Sequence, residues 1–159
     1  MKSIRPVFLV SACCLWLGAS LNGQSGPPAA IPAGGVPYFQ ALVKDARARI
    51  REIDAAKLTA LRKEDPTLVL VDVREDNEWD KRRIAGAIHV GRGVLEIDIE
   101  SRVPRKSTPV VVYCQGGGRS AVAADALGKM GYTKVSSLAG GLAAYEAAGL
   151  PVDSASPPK

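Results

Sequence analysis

Histidine is nearly missing from this chain of 159 residues. With His89 standing alone, a histidine-dependent general base has one candidate, and no Cys/His ligand set exists for zinc. No carboxylate motif replaces it, so the sequence points to neither a metal nor another cofactor. Cysteines number three and form no Cys-x-x-Cys pair, which counts against a dithiol redox role. No apolar run reaches the ~20 residues that a membrane-spanning helix needs. An excess of one charge is also lacking. The formal net charge of +5 falls to +3 if Lys2 and Arg5 are removed with a leader. Acidic and basic residues alternate in Lys44-Asp45-Ala46-Arg47 and Arg49-Ile50-Arg51-Glu52, as on a solvated helix face, so no nucleic-acid partner is expected.

What is there suits one folded domain: 47% hydrophobic and 23% charged residues, in a length that can bury a single core. Residues 1–23 have a basic start at Lys2 and Arg5, an apolar stretch from Val7 to Leu17, and small residues at Gly18, Ala19, Ser20 and Gly23. This is the layout of a signal peptide cleaved after Ser20 or Gly23, and it implies an exported, periplasmic or secreted protein. An alternative is a lipoprotein, because Val10-Ser11-Ala12-Cys13 resembles a lipobox; acylation of Cys13 would attach the chain to a membrane. With Cys13 and Cys14 inside the leader, Cys114 becomes the one thiol of the mature chain, without an intramolecular partner and therefore a candidate reactive group. Residues 24–37, rich in Gly, Pro, Ala and Ser, read as a flexible linker. Residues 38–153 read as the domain and 154–159 as a tail.

Within the domain, Phe39, Leu42, Val43, Ala46 and Ile50 recur at helical spacing. Asp54 can cap a helix over 55–64, and Asp65-Pro66 stops it. The continuous apolar runs Leu68-Val69-Leu70-Val71 and Pro109-Val110-Val111-Val112-Tyr113 are those of buried parallel strands. A helix over 75–82, a strand over 87–90, a helix from Ser120 to Met130 ended by Gly131, a strand over 134–138 and a helix over 142–148 complete the reading. Such alternation gives an α/β fold: a parallel sheet of about five strands with helices on both faces, whose ligands gather at the carboxyl ends of the strands.

Cys114 stands at such an end and opens Cys114-Gln115-Gly116-Gly117-Gly118-Arg119-Ser120. A strand that delivers a cysteine into a glycine-rich turn, with a helix directly behind it, aims several backbone N–H groups at the sulfur. That cradle favours an anionic, nucleophilic sulfur. Arg119 adds a planar cationic fork for oxyanions, and the glycines let the backbone curl with positive φ and leave room for a substrate.

The loop resembles that of the rhodanese family, whose members carry sulfur on a cysteine opening a six-residue loop that ends in arginine and is followed by Ser or Thr. Three further stretches are similar to the family pattern and occur in its order: Leu70-Val71-Asp72-Val73-Arg74-Glu75, Ile84-Ala85-Gly86-Ala87-Ile88-His89-Val90, and Leu138-Ala139-Gly140-Gly141-Leu142 with Ala147-Ala148-Gly149-Leu150-Pro151-Val152. The resemblance implies a single-domain sulfurtransferase. Cys114 would take sulfur from thiosulfate or a persulfide as an enzyme persulfide and pass it to a thiol or cyanide. Residues 115–120 would bind substrate. A non-catalytic sulfur carrier or partner-binding module is the alternative.

Two departures bear on chemistry. Gln115 stands where many relatives are basic, so a dianionic donor such as thiosulfate meets one cation fewer. The usual Gly-His-Ile-Pro-Gly-Ala stretch is Arg82-Arg83-Ile84-Ala85-Gly86-Ala87 here, which alters local rigidity. Phosphatases of the same fold have five residues between cysteine and arginine; the four here should close too tightly around a phosphate. Asp72 and Arg74, behind a buried strand, are expected to support the loop through hydrogen bonds or to pair with Glu78. Trp79 and Tyr113 are expected to pack, Tyr113 against a helix layer, and His89 to be structural.

Overall fold

The computed structural model describes residues 37–154. The expected signal peptide, the Cys13 lipidation site and nearly all of the expected linker and tail lie outside them. The elements run α1 (Pro37–Arg47), β1 (Arg51–Ile53), α2 (Ala55–Glu64), β2 (Val69–Asp72), α3 (Asp76–Trp79), β3 (Arg82–Ile84), β4 (Ile88–His89), α4 (Leu95–Arg102), β5 (Val110–Tyr113), α5 (Gly118–Lys129), β6 (Val135–Leu138), α6 (Gly141–Ala147) and β7 (Val152–Ser154). Five strands form one parallel sheet in the order β1-β6-β5-β2-β4. β3 and β7 pair antiparallel in a separate ribbon. No helix among the described residues is long and apolar enough to cross a membrane.

The continuous apolar runs follow from burial of both sheet faces. In β5, Val110 and Val112 turn to a core layer with Leu95 and Ile99 of α4 and Ala123, Ala124 and Leu127 of α5. Val111 and Tyr113 turn to the opposite layer, with Leu58 of α2 and Leu142 and Tyr145 of α6. The two-residue period of a strand then fixes the next side chain: Cys114 joins the α4/α5 layer. Tyr113 packs in a helix layer as expected; its hydroxyl accepts the Ile84 N–H at 3.1 Å. Burial pushes its ionisation well above the usual range.

Several boundaries differ from the sequence reading. Helix α1, for which the apolar spacing set no first residue, opens at Pro37, because a first-turn proline gives up an N–H that has no intrahelical partner anyway. It ends at Arg47, so Ile50 lies beyond it, and Leu42 of the apolar stripe remains exposed. α2 begins and ends where its caps place it, with the Asp54 carboxylate accepting the Lys57 N–H at 2.7 Å. The helix expected over 75–82 is only the single turn α3, and residues 82–84 extend instead as β3. Ile84 buries itself completely in the α2/α6 layer, and the Arg82 carbonyl accepts from the buried Arg74 Nη2 at 2.6 Å. The strand expected over 87–90 shortens to β4, because Ala87 closes a turn onto Ile84 through Gly86 at φ +74°. α4, β1 and β7 are additions. Only Leu95 and Ile99 of α4 are buried, while Val94 and Ile97 face outward and blur the helical period.

Behind β2 the Asp72–Arg74 pair is almost wholly enclosed, at 0% and 1% exposure. Arg74 Nε lies 2.9 Å from both Asp72 oxygens and Nη2 lies 2.6 Å from Oδ2, while the Arg74 backbone N–H donates to Oδ1 at 2.9 Å. His89 Nε2 donates to the Arg74 carbonyl at 2.9 Å, and its ring stacks on Trp79 at 4.9 Å. The Asp72 and Arg74 side chains pair with each other, and Arg74 also with the Arg82 carbonyl, while Glu78 pairs with Arg119. Removing one partner of a buried ion pair strands the other, which typically costs about 3–5 kcal/mol. Asp72→Ala is therefore expected to lower the urea unfolding free energy by about that amount. Adding Arg74→Met should recover part of the loss, since the stranded charge is then gone.

Candidate active site

Cys114 follows the last residue of β5, and its side chain is 2% exposed at the sheet's carboxyl end. The Gly117 N–H donates to Sγ at 3.2 Å. α5 begins at Gly118, so its first-turn N–H groups project past the helix end toward the same loop.

The loop is held from outside by its carbonyls. Leu142 N–H donates to the Cys114 carbonyl at 2.8 Å and Ala143 N–H to the Gln115 carbonyl at 3.1 Å. The Gly117 carbonyl accepts from Ala121 N–H at 3.0 Å and from Ser120 Oγ at 3.1 Å. Ser137 Oγ of β6 in turn donates to Ser120 Oγ at 2.9 Å, with both serines fully buried. Ser120 therefore braces the loop from behind. With the Cys114 and Gln115 carbonyls tied to α6 and the Gly117 carbonyl to α5, the loop turns the Gly117 N–H toward the sulfur.

The three loop glycines have three different reasons to be glycine. Only Gly117 takes a positive φ, +86°; a β-carbon there would stand 3.0 Å from the Gly140 nitrogen. Gly118 is already helical, and a β-carbon on it would touch the Phe39 ring of α1 at 3.4 Å. Gly116 is exposed and faces open space. Gln115 is half-buried.

Arg119 reaches across to α3. Its Nη1 and Nη2 donate to the two Glu78 oxygens at 2.6 and 2.8 Å, and Glu75 lies 3.9 Å away. The hydrogen bonds to Arg119 hold the Glu78 carboxyl below its ordinary value, against the opposing effect of burial. Glu78 holds the Arg119 proton more firmly still, through the same hydrogen bonds and against the opposing effect of burial. Glu78 was considered in the sequence as a partner of Asp72 and Arg74, not of Arg119. No role was assigned to Gly140 and Gly141, although their Gly-Gly pair before an apolar helix was visible; they sit at φ +68° and +59°. Among the described residues no group of three His, Cys, Asp or Glu side chains converges as a metal site.

A cleft of about 770 Å³ opens at the opposite, amino end of β1, β5 and β6, and none of the loop residues line it. Size alone does not locate the chemistry. A smaller cleft of about 340 Å³ lies beside the loop, between Gly116 and Gly118 and the α1 helix.

The model of the rhodanese-like domain family matches residues 54–148. A sulfurtransferase of Allochromatium vinosum is 33% identical over 103 residues, covering 65% of this chain and 94% of that protein. The thiosulfate sulfurtransferase PspE of Escherichia coli is 38% identical over 72 residues, covering 45% of this chain and 68% of that protein. A solved Rhodopseudomonas palustris structure, described as of unknown function and a possible tyrosine phosphatase, superposes with a TM-score of 0.65 at 32% identity. It covers 80% of this chain and 100% of that one.

Two measurements probe the loop's supports. A β-carbon on Gly141 would overlap the Cys114 carbonyl oxygen and stand 2.9 Å from the Gln115 carbonyl carbon, both backbone atoms that cannot swing aside. Gly141→Ala is expected to cost about 1–3 kcal/mol in thermal unfolding and to change the rate at which iodoacetamide alkylates Cys114. Gly116→Ala should do neither. For Glu78, the depressed carboxyl means stability that is present above the ordinary carboxylate value of 4.5 and lost as pH falls through the lower folded-state value. The pair is partly exposed, so Glu78→Gln should lower stability by only about 1 kcal/mol near neutrality. That gap from wild type should close in urea titrations carried well below the carboxylate range.

Proposed function

The chain belongs to the rhodanese-like domain family, and from that premise we propose that it moves sulfane sulfur from thiosulfate or a persulfide to a thiol or cyanide, through a persulfide on Cys114. In the first step the Cys114 thiolate attacks the outer sulfur of the donor. A Cys114–sulfur bond forms, the donor's sulfur–sulfur bond breaks, and its electron pair leaves with sulfite or a thiolate. In the second step the acceptor takes the terminal sulfur, and the bonding pair returns to Cys114 as thiolate. Negative charge stays beside the same sulfur position throughout, so one fixed set of donors serves both steps.

The observation that carries this reading is the Gly117 N–H on Sγ at 3.2 Å in a loop whose Cys114 and Gln115 carbonyls are bound away from the sulfur. Gly116, Gly118 and the first turn of α5 would add donors or space for the incoming group. Arg119 would set the loop's shape through Glu78 and face the developing charge. Gln115 would leave the loop without a second cation. The four residues between Cys114 and Arg119 support sulfur over a bulkier phosphate as the transferred group. The leader-like residues 1–23 support action outside the cytoplasm, as a periplasmic or secreted protein.

Cys114→Ser replaces the nucleophile with a hydroxyl that holds no persulfide. Its rate of thiocyanate formation from thiosulfate and cyanide, or of transfer from a persulfide, should fall at least about a thousandfold with the circular dichroism spectrum unchanged. A variant retaining most of the activity would refute the proposal, and a wild type that accepts one sulfur without turning over would favour the carrier reading.

A further inference from the structure

Helix α1 precedes the stretch that the family model matches, yet it forms one wall of the cleft beside the Cys114 loop. Phe39 and Val43 make the apolar part of that wall and stand 3.4 and 3.5 Å from where a β-carbon on Gly118 would lie. Lys44 and Arg47, one helical turn apart, line the same cleft. Arg47 Nη2 lies 3.5 Å from where a β-carbon on Gly117 would stand, and Gly117 is the residue whose N–H holds the sulfur. Gly116 has no neighbour within 4 Å of its β-carbon position, so nothing obstructs the loop on its open side.

The charges are unevenly committed. Both terminal nitrogens of Arg119 are taken by Glu78, with Glu75 close behind. Among the described residues Arg47 makes one side-chain ion pair, from Nε to Glu52 at 3.2 Å, and its Nη2 lies on the loop side. Lys44 makes no ion pair among the described residues. Positive charge able to meet a ligand therefore comes from α1 more than from the loop. An apolar wall bordered by two cations suits an anion with a carbon chain; a compact inorganic dianion would leave the apolar wall unused.

We infer that this cleft binds the carbon chain and carboxylate of a small organic thiol, the acceptor at Cys114, and of its persulfide when sulfur moves the other way. Lys44 and Arg47 hold the carboxylate while Phe39 and Val43 cover the chain. The inference rests on the sulfur-transfer reading of Cys114. The bound thiol loses its proton to solvent, and its thiolate attacks the outer sulfur of the Cys114 persulfide. The acceptor–sulfur bond forms as the Cys114–sulfur bond breaks, the electron pair stays on Cys114, and sulfane sulfur passes on with no external oxidant or reductant.

The test loads the full chain with sulfur from thiosulfate and compares mercaptopropionate with mercaptoethanol, acceptors of similar length that differ in charge. The ratio of their kcat/KM values should fall about threefold to tenfold in Lys44→Gln/Arg47→Gln, as expected for two partly solvated contacts. Lys44→Glu, which disturbs no observed ion pair, should lower it as well, and added salt should lower the wild-type ratio. A ratio unmoved by both variants and by salt overturns the inference. A titration with unreactive methylthiopropionate separates this result from the fate of the sulfur-transfer reading. Amide shifts in α1 and at Gly116–Gly118 that vanish in the double variant sustain the cleft even if no sulfur moves. Their absence from wild type overturns it even if sulfur does.

Discussion

The orientation of the peptide groups after Cys114 is the constraint on which the rest depends. A peptide carbonyl turned toward the sulfur would repel an anion there, whereas an N–H turned toward it attracts one. The choice is made by α6: its first N–H groups have no partners within the helix and take the Cys114 and Gln115 carbonyls instead. That contact requires α6 to approach the loop backbone without a side chain between them, and Gly140 and Gly141 provide the approach. The sheet order serves the same end. β6, which leads into α6, lies beside β5, which leads into the loop. The two strand ends therefore deliver both halves of the contact to one place.

Charge around the loop is organised by pairing. Asp72 and Arg74 neutralise each other in a nearly dry site and fix the end of β2, while Glu78 and Arg119 join α3 to the start of α5. The first pair is structural by its burial. The second is partly exposed and ties the start of α5, behind the loop, to α3. The Arg119 charge is shared with Glu78, and among the described residues the hydrogen bond to the sulfur comes from the Gly117 backbone. The extra cations stand on α1, outside the part of the chain that defines the family.

Much of this was legible in the sequence. The runs 68–71 and 109–113 read as strands because burial on both faces leaves no polar interruption, and α2 carried its own caps in Asp54 and Asp65. The Cys114–Ser120 loop was legible as a strand-to-helix turn with a candidate reactive thiol, because a glutamine, three glycines and an arginine follow Cys114 between the apolar run 109–113 and a helix. What was not legible depended on contacts between distant segments. Nothing local in Glu78 says that Arg119 will reach it across 41 positions. Residues 80–82 looked like a continuation of the helix that in fact ends at Trp79, and α4 was masked by apolar residues that face outward. The glycines were legible as a group but not singly: one bends the chain, one admits α1, and one leaves space.

The central claim is that Cys114 carries the sulfur that moves. Mass spectrometry of the intact protein after exposure to thiosulfate or a persulfide, followed by peptide mapping under non-reducing conditions, tests it most directly. The account predicts a gain of one sulfur atom, confined to the peptide that holds Cys114, lost on adding cyanide and not formed in Cys114→Ser. Unchanged mass with every donor, or added sulfur that persists in the serine variant, would contradict it.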